Sequence, residues 1–373
     1  MRHSTRQFVT ICIGIACVVP AKAQPPDRLR TNQRTTIPNV LTMTLRAESV
    51  HRNLELSRDQ ISRICKALDE VETPLWRMRD LPPQQQTEAA ALLLRKLTEA
   101  TSHILLPQQL ERLNQIILQT QGIRAVLMPS VADRLNLTVA QQSGIRQIVE
   151  TLDRKLRQRN RAGSLTRNSP PATGLRMDAE LQISGLLRPS QNRLLRRLMG
   201  PPFDLKTVPQ VACRAPEIRG IEEWINSEPK TLAGMRGKVV ALHFYAAGCI
   251  NCIRNLPHYN KWSETFAGDR FAVIGIHTPE TQRERVVDNV RSKAEQAEMQ
   301  YPIAVDNKKE TWNAWGNHVW PAVYLIDKRG FVRYWWYGEL NWQQTEGEKW
   351  MRRKTKELLA EDMKTQDMNN RRL

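Results

Sequence analysis

The chain has 373 residues, of which 40% are hydrophobic and 25% charged. This composition is typical of a soluble protein, and the length predicts two domains, each large enough for a hydrophobic core. Six cysteines in a chain of this size exclude a disulfide-stapled scaffold. The formal net charge of +18 at pH 7 raises the question of anionic partners.

The first residues have the three parts of a secretory signal peptide. Two arginines precede an apolar run over residues 8–20, and Ala21-Lys22-Ala23 provides a small-x-small cleavage site. The apolar run is too short for an ordinary membrane span. We therefore predict a signal peptide over 1–23 and export to the periplasm or cell envelope, with a retained anchor or a lipid on Cys17 as alternatives.

Export changes what the positive charge implies. Arg and Lys neutralise phosphates in nucleic-acid-binding proteins, but we expect no nucleic-acid partner for an exported chain. The arginine-rich stretches, such as 154–161 and 352–356, are interpreted as solvated helix faces. Contact with an anionic membrane surface is the second interpretation.

A short pattern recurs after a polar lead-in, which is predicted as a linker over 24–50. A leucine is followed four residues later by a glutamine and four residues after that by another apolar residue; the glutamines are Gln60, Gln109, Gln141 and Gln191. Each glutamine fits position N3 of a helix, either in a capping box or after a proline at N1. The pattern predicts an all-helical repeat domain over 51–202.

These helix starts resemble the L-T-x-x-Q motif of small periplasmic helical proteins of the Spy and CpxP kind. A partner-binding or substrate-presenting role for the helical domain therefore stays open.

A connector over 203–214 leads into a region where apolar strands alternate with helices. Strands are predicted at 239–245, 271–277, 301–306, 322–327 and 331–338, and helices at 251–267, 281–299, 308–315 and 345–360. Strand–helix–strand units followed by a hairpin indicate a mixed sheet. The predicted fold is an all-helical repeat domain followed by a mixed-sheet α/β domain over 215–362, with a polar tail at 363–373.

The segment Cys249-Ile250-Asn251-Cys252 lies where the first of these strands gives way to a helix. Unpaired N–H groups and the helix macrodipole favour a thiolate at that position. Cys249 is therefore the candidate nucleophile, and Cys252, one turn further on, the candidate resolving thiol. A zinc site would need two more ligands at a repeated spacing, which the sequence lacks, so we expect neither a metal nor a cofactor.

Two further cysteines remain in the predicted mature chain. Cys65 falls on the apolar face of a predicted helix and suits a buried small hydrophobic residue. Cys213 lies in the predicted connector. A Cys65–Cys213 bridge is the alternative, since the sequence does not give the connectivity.

From residue 215 to about 359 the chain resembles the TlpA/ResA/DipZ branch of thioredoxin-like proteins, and within it the soluble thioredoxin domain of the DipZ type. The likeness rests on matching segments in the same order, namely 215–218, 224–227, 236–240, 249–252, 273–280, 301–306 and 320–327. It implies a thioredoxin-like fold and thiol-disulfide oxidoreductase activity on protein dithiols and disulfides.

The resemblance also implies roles for Trp320 and Pro321. Pro321 is expected to be a cis-proline packed against the active-site cysteines, with both residues in contact with the substrate chain. Plain core packing is the alternative for Trp320. The Ile250-Asn251 dipeptide lacks the histidine of strong oxidants, which favours a reductant. The family implies a membrane electron donor of the DsbD or CcdA kind and a role of the cytochrome c maturation type.

Two departures from the family pattern concern the proton acceptor and the residue before the nucleophile. His243 stands where thioredoxins carry a buried acid, and Gly248 stands where they carry an aromatic residue. His243 is a candidate proton acceptor for Cys252, with a core histidine as the alternative. Asn255 does not supply the glutamate that ResA-like proteins have at this position.

Two other functions compete with the redox enzyme. In one, the helical domain is an envelope binding or chaperone-like module and the thioredoxin domain is structural. In the other, the chain is a peroxidase-like redoxin, but Gly248-Cys249 lacks the Pro-x-x-x-Thr-x-x-Cys context of that chemistry.

Overall fold

The structure is a computed structural model that describes residues 31–32, 40–161, 172–208, 213–268 and 270–361. The predicted signal peptide over 1–23 and the tail over 363–373 lie outside these residues. Within them, no helix is both long and apolar enough to span a bilayer.

Packing divides the chain into two compact units that do not follow the predicted domain boundary. The helical unit comprises Ser49–Ile61 and Thr98–Val208, and the sheet unit comprises the described residues of Val19–Glu48, Ser62–Leu97 and Pro209–Leu373. A stretch from the middle of the predicted helical domain, Ser62–Leu97, thus belongs with the sheet.

Between residues 40 and 199, the described part of the chain is helical, as predicted. Its helices are α1 (Val40–Arg46), α2 (Glu48–Asn53), α3 (Arg58–Arg77), α4 (Pro83–Ile104), α5 (Pro107–Gln121), α6 (Pro129–Arg134), α7 (Val139–Arg161), α8 (Ala172–Leu186) and α9 (Pro189–Met199). Helix α1 falls inside the predicted linker over 24–50. Its last residue, Arg46, donates two hydrogen bonds to the buried carboxylate of Glu72, at 3.1 and 3.0 Å.

The predicted helix caps are confirmed. The Gln60 and Gln141 side chains accept from the backbone N–H groups of Ser57 and Thr138 at 3.0 and 3.1 Å, and the two hydroxyls accept in return from the glutamine N–H groups. Prolines occupy the first turns of α5 and α9, where Gln109 and Gln191 accept from the N-cap N–H groups.

The repeated glutamines also pair with each other, a contact that capping alone does not predict. Gln60 Nε2 donates to Gln109 Oε1 at 2.8 Å, and Gln141 Nε2 donates to Gln191 Oε1 at 2.9 Å. Each pair joins the starts of two helices of the helical unit. The same amide therefore caps one helix and holds it to another.

The sheet unit is built on one mixed sheet. Its strands are β1 (Thr31–Asn32), β2 (Glu223–Ile225), β3 (Val239–Tyr245), β4 (Phe271–His277), β5 (Ile303–Val305), β6 (Ala322–Ile326) and β7 (Val332–Tyr337), in the order β1-β7-β6-β3-β4-β5-β2. Strands β3, β4 and β5 are parallel, while β6 and β7 form an antiparallel hairpin beside β3. The five strands predicted from the sequence are confirmed; the short edge strands β1 and β2 are additional.

The helices of this unit are α10 (Ile250–Thr265), α11 (Val287–Gln296), α12 (Glu310–Trp315) and α13 (Gly347–Ala360). Every residue of β3 is buried, because this central strand is covered on both faces. Helix α11 begins later than the predicted 281. Residues Gln282–Arg285 form a separate 3₁₀ turn instead, in which the Glu284 side chain bonds back to the turn itself.

The C-terminal end of helix α3 and the turn after it pack within the sheet unit through two buried side chains, Trp76 of α3 and Arg79 of the turn. Trp76 Nε1 donates to the carbonyl of Trp315 at 2.9 Å. Arg79, 3% exposed, donates to Tyr337 Oη at 2.8 Å and to Tyr324 Oη at 3.0 Å. These contacts are the physical reason that Ser62–Leu97 belongs with the sheet.

Candidate active site

The two cysteines of the C-x-x-C lie just beyond the carboxyl end of the central strand. Cys249 is the N-cap of α10 and is half-buried, whereas Cys252 is 1% exposed in the first turn. Both are free thiols. The nucleophile candidate is thus reachable from solvent, and its partner is shielded.

The surroundings of the two thiols separate their acidities. The Cys252 side chain donates a hydrogen bond to Cys249 and, against the opposing effect of burial, lowers the pKa of Cys249 to about 7, with help from the backbone N–H of Cys252 and of Asn251. Burial and the hydrogen bond to Cys249 raise the pKa of Cys252 far above its ordinary value. When the pair holds one proton, that proton is therefore on Cys252, and Cys249 is the thiolate.

Alkylation by iodoacetamide should resolve this difference. Because only the thiolate reacts, we expect Cys249 to be modified with a half-maximal rate near pH 7 and Cys252 to stay unmodified through pH 9. Peptide mapping by mass spectrometry measures both. Equal labelling of the two cysteines, or a Cys249 midpoint above about pH 8.5, the ordinary thiol value, would contradict the assignment.

The two residues expected to contact substrate lie beside the end of β3. The Trp320–Pro321 peptide bond is cis, and the next residue, Ala322, pairs with Phe244 of β3. The Pro321 carbonyl accepts from Gly338 N at 2.8 Å. Trp320 is half-buried, stacks on Trp312 with ring centroids 4.1 Å apart, and lies under the Lys309 ammonium.

His243 is surrounded by aromatic side chains rather than by charged groups. It is fully buried on β3, stacks on Tyr259 with centroids 4.2 Å apart, and its Nε2 bonds with Tyr301 Oη at 3.1 Å. Burial lowers the pKa of His243 to about 3. The ring is neutral near pH 7 and a weak base, so these surroundings favour the core histidine over the proton acceptor.

Asn255, at the other departure from the family pattern, holds backbone in place. Its Nδ2 donates to the Gly338 carbonyl at 3.1 Å, and its Oδ1 accepts from Leu340 N at 2.9 Å. The side chain thus fixes the segment that follows β7 against α10.

A carboxylate that the sequence analysis missed lies beside the nucleophile. Glu284 accepts three backbone hydrogen bonds, from Gly248 N at 2.6 Å and from Glu280 N and Thr281 N at 2.8 Å each. Burial opposes ionisation of Glu284, but these N–H donors outweigh it, so its pKa lies below the ordinary value. The carboxylate therefore ties the residue before Cys249 to the loop after β4.

This contact gives a physical reason for Gly248. A Cβ at this position would lie 2.8 Å from Glu284 Oε1, closer than real Cβ contacts allow. An aromatic residue before the nucleophile would thus displace the carboxylate. Gly248 was the signal in the sequence that another group lies close to the backbone before Cys249. The sequence did not show that this group is Glu284.

The other two cysteines among the described residues do not form a bridge. Cys65 and Cys213 are both free, and Cys213 is 2% exposed. Burial raises the pKa of the Cys213 thiol well above its ordinary range. Cys213 is therefore a protonated, unreactive thiol.

A mixed sheet with a parallel β3–β4–β5 core, a β6–β7 hairpin and a C-x-x-C at the start of the helix after the central strand defines the thioredoxin-like class of proteins. The geometry of the two thiols fits dithiol–disulfide exchange.

The sequence comparisons agree with this class. A model described as the AhpC/TSA family matches residues 211–335. Protein DipZ of Mycobacterium bovis is 38% identical over 178 residues, which are 47% of this chain and 25% of DipZ. Thiol-disulfide oxidoreductase ResA of Geobacillus thermodenitrificans is 28% identical over 131 residues, 35% of this chain and 71% of ResA. YkuV of Bacillus subtilis, also described as a thiol-disulfide oxidoreductase, is 25% identical over 146 residues, 39% of this chain and 94% of YkuV.

The C-terminal part of the chain is thus a thioredoxin-fold domain similar to those of DipZ, ResA and YkuV. The match spans only about a quarter of the length of DipZ.

Proposed function

We propose that this chain is an exported thiol-disulfide oxidoreductase that reduces protein disulfides in the cell envelope through Cys249 and Cys252. The observation that carries the proposal is the pair of unlike thiols: a half-buried Cys249 with its pKa near 7 in contact with a buried, protonated Cys252. The similarity to ResA and YkuV supports the reaction class.

The reaction follows from this arrangement. The Cys249 thiolate attacks one sulfur of a substrate disulfide, the substrate S–S bond breaks, and a mixed disulfide forms. Cys252 then gives up its proton and attacks Cys249 Sγ, which breaks the mixed disulfide. The Cys249–Cys252 disulfide forms, and the substrate leaves as a dithiol with the proton from Cys252 and one from solvent.

Two finer points rest on the family resemblance. The absence of histidine from Ile250-Asn251 supports a reductant. A membrane electron donor of the DsbD or CcdA kind would then return the disulfide to the dithiol, and haem-attachment cysteines of apocytochromes are candidate substrates. Trp320 and Pro321 are the proposed substrate contacts.

Insulin reduction by dithiothreitol tests the activity. The chain is expected to accelerate release of the insulin chains at least tenfold, and Cys249→Ser to abolish the acceleration, because the attacking sulfur is gone. Release is measured by chromatography rather than turbidity, so that chaperone-like suppression of aggregation does not hide reduction.

Cys213→Ser is the matched control, since it removes a buried free thiol outside the pair. Full activity in the Cys249→Ser variant would overturn the proposal. Suppressed aggregation with no chain release by the unaltered protein would instead support the chaperone-like function.

A further inference from the structure

A basic groove lies beside the residues proposed to contact substrate. It has a volume of about 660 Å³ and is lined by Glu222, Arg285, Asn307, Lys308, Lys309 and Asn313. Three cationic side chains thus face one carboxylate, and Glu222 is already engaged, because it accepts from Asn307 Nδ2 at 2.9 Å. The groove therefore presents an excess of positive charge.

One contact and one neighbouring residue relate the groove to the active site. On one side, the Lys309 ammonium lies 5.2 Å from the centroid of the Trp320 ring, and Trp320 precedes Pro321. On the other side, Arg285 follows Glu284, whose carboxylate holds Gly248 next to Cys249. Arg285 is itself fixed, since it donates to the Asn307 carbonyl at 2.9 Å.

Asn307 is a buried, fixed part of the wall of this groove. The side chain is 6% exposed, and its Nδ2 donates to Glu222 and to the Arg285 carbonyl at 2.9 and 2.8 Å. Both of these partners are acceptors, so the orientation of the amide is determined. Its Oδ1 has no hydrogen-bond partner among the described residues. Asn307 therefore fixes the wall of the groove, and the groove offers a ligand its positive charge.

We propose that this groove binds an acidic segment of the substrate polypeptide next to its reactive cysteine. Carboxylates would pair with Lys308, Lys309 and Arg285. A polypeptide is favoured as the ligand because the Lys309 ammonium lies against Trp320, a proposed contact of the substrate chain. The proposal rests on the proposed function, because it names the substrate class of that site.

The test compares three substrates in steady-state reduction: a peptide disulfide flanked by aspartates and glutamates, the same peptide flanked by lysines, and hydroxyethyl disulfide. We expect the acidic peptide to have a KM about tenfold below that of the basic one. Lys308→Glu should remove this preference and leave turnover of hydroxyethyl disulfide unchanged, because Lys308 is exposed and lies outside the C-x-x-C. Lys356→Glu is the control, with the same charge change on an exposed residue of α13.

A preference that survives Lys308→Glu, or that Lys356→Glu abolishes equally, would overturn the groove proposal. A second measurement separates it from the proposed function: binding of a fluorescent, cysteine-free acidic peptide, followed by anisotropy. Binding that Lys308→Glu weakens at least fivefold supports the groove even if no disulfide is reduced. Binding only to vesicles of anionic lipid, and not to the peptide, would refute an acidic polypeptide as the ligand.

Discussion

Replacement of Arg79 by methionine is expected to lower the free energy of unfolding of the sheet unit by about 3–5 kcal/mol, the usual cost of removing one partner from a buried ion pair. Arg79 Nε lies 3.3 Å from the carboxylate of Asp80. The Arg79 guanidinium donates to the carbonyls of Trp76, Trp315 and Gly316, at 3.1, 2.8 and 3.2 Å. It also lies 4.2 Å from the centroid of the Trp76 ring. Methionine keeps the apolar stem but removes the guanidinium, so the Gly316 carbonyl and Tyr324 Oη lose a donor and the Trp315 carbonyl keeps only Trp76 Nε1.

Tryptophan fluorescence during urea unfolding measures this effect selectively. All 10 tryptophans of the chain lie in the segments that form the sheet unit. Arg63→Met, on the exposed face of α3, the helix that precedes Arg79, should cost no more than about 0.5 kcal/mol. If the two variants unfolded at the same urea concentration, α3 would not be an integral part of the sheet unit.

The same helix illustrates which part of the fold the sequence predicts. Leu68, Val71 and Leu75 recur at helical spacing, so the sequence predicts a helix with one buried face. The pattern does not identify the surface that covers this face. Packing against the sheet depends on Trp76 and Arg79 meeting Trp315 and Tyr324, residues more than 200 positions away, and no local periodicity encodes that contact.

The candidate site also has one part that the sequence predicts and one part that it does not. The C-x-x-C spacing and the apolar strand before it predict where the two thiols lie, because both features are local. Glu284 falls within the helix predicted over 281–299, where a glutamate is ordinarily a solvated side chain. The orientation of the Glu284 side chain toward Gly248 depends on the 3₁₀ conformation of Gln282–Arg285 and on the proximity of Gly248. Both are set by the tertiary fold.

Glu284→Ala is expected to slow insulin reduction by about tenfold and to raise the pKa of Cys249 above 7. The alanine side chain cannot accept from Gly248 N, Glu280 N or Thr281 N, so the link between the residue before Cys249 and the loop after β4 is lost. The backbone before Cys249 would move, and the N–H donors of Asn251 and Cys252 that stabilise the thiolate would lose their alignment.

The pKa of Cys249 is measured from the thiolate absorbance at 240 nm against pH, alongside the insulin assay. The measurement distinguishes two roles of Glu284: holding the backbone before Cys249 in position, or acting on the thiolate through its negative charge. Removal of a negative charge alone would lower the pKa of Cys249, and would do so equally in Glu284→Ala and Glu284→Gln. Positioning predicts the opposite sign for alanine, with glutamine in between, because its amide oxygen still accepts from Gly248 N. Thr281→Val, which removes the hydroxyl of the same capping box but keeps the carboxylate and all three of its N–H donors, is the control and should leave the pKa unchanged. A lowered pKa in both Glu284 variants would show that the carboxylate acts through its field, and that Gly248 is held by other contacts.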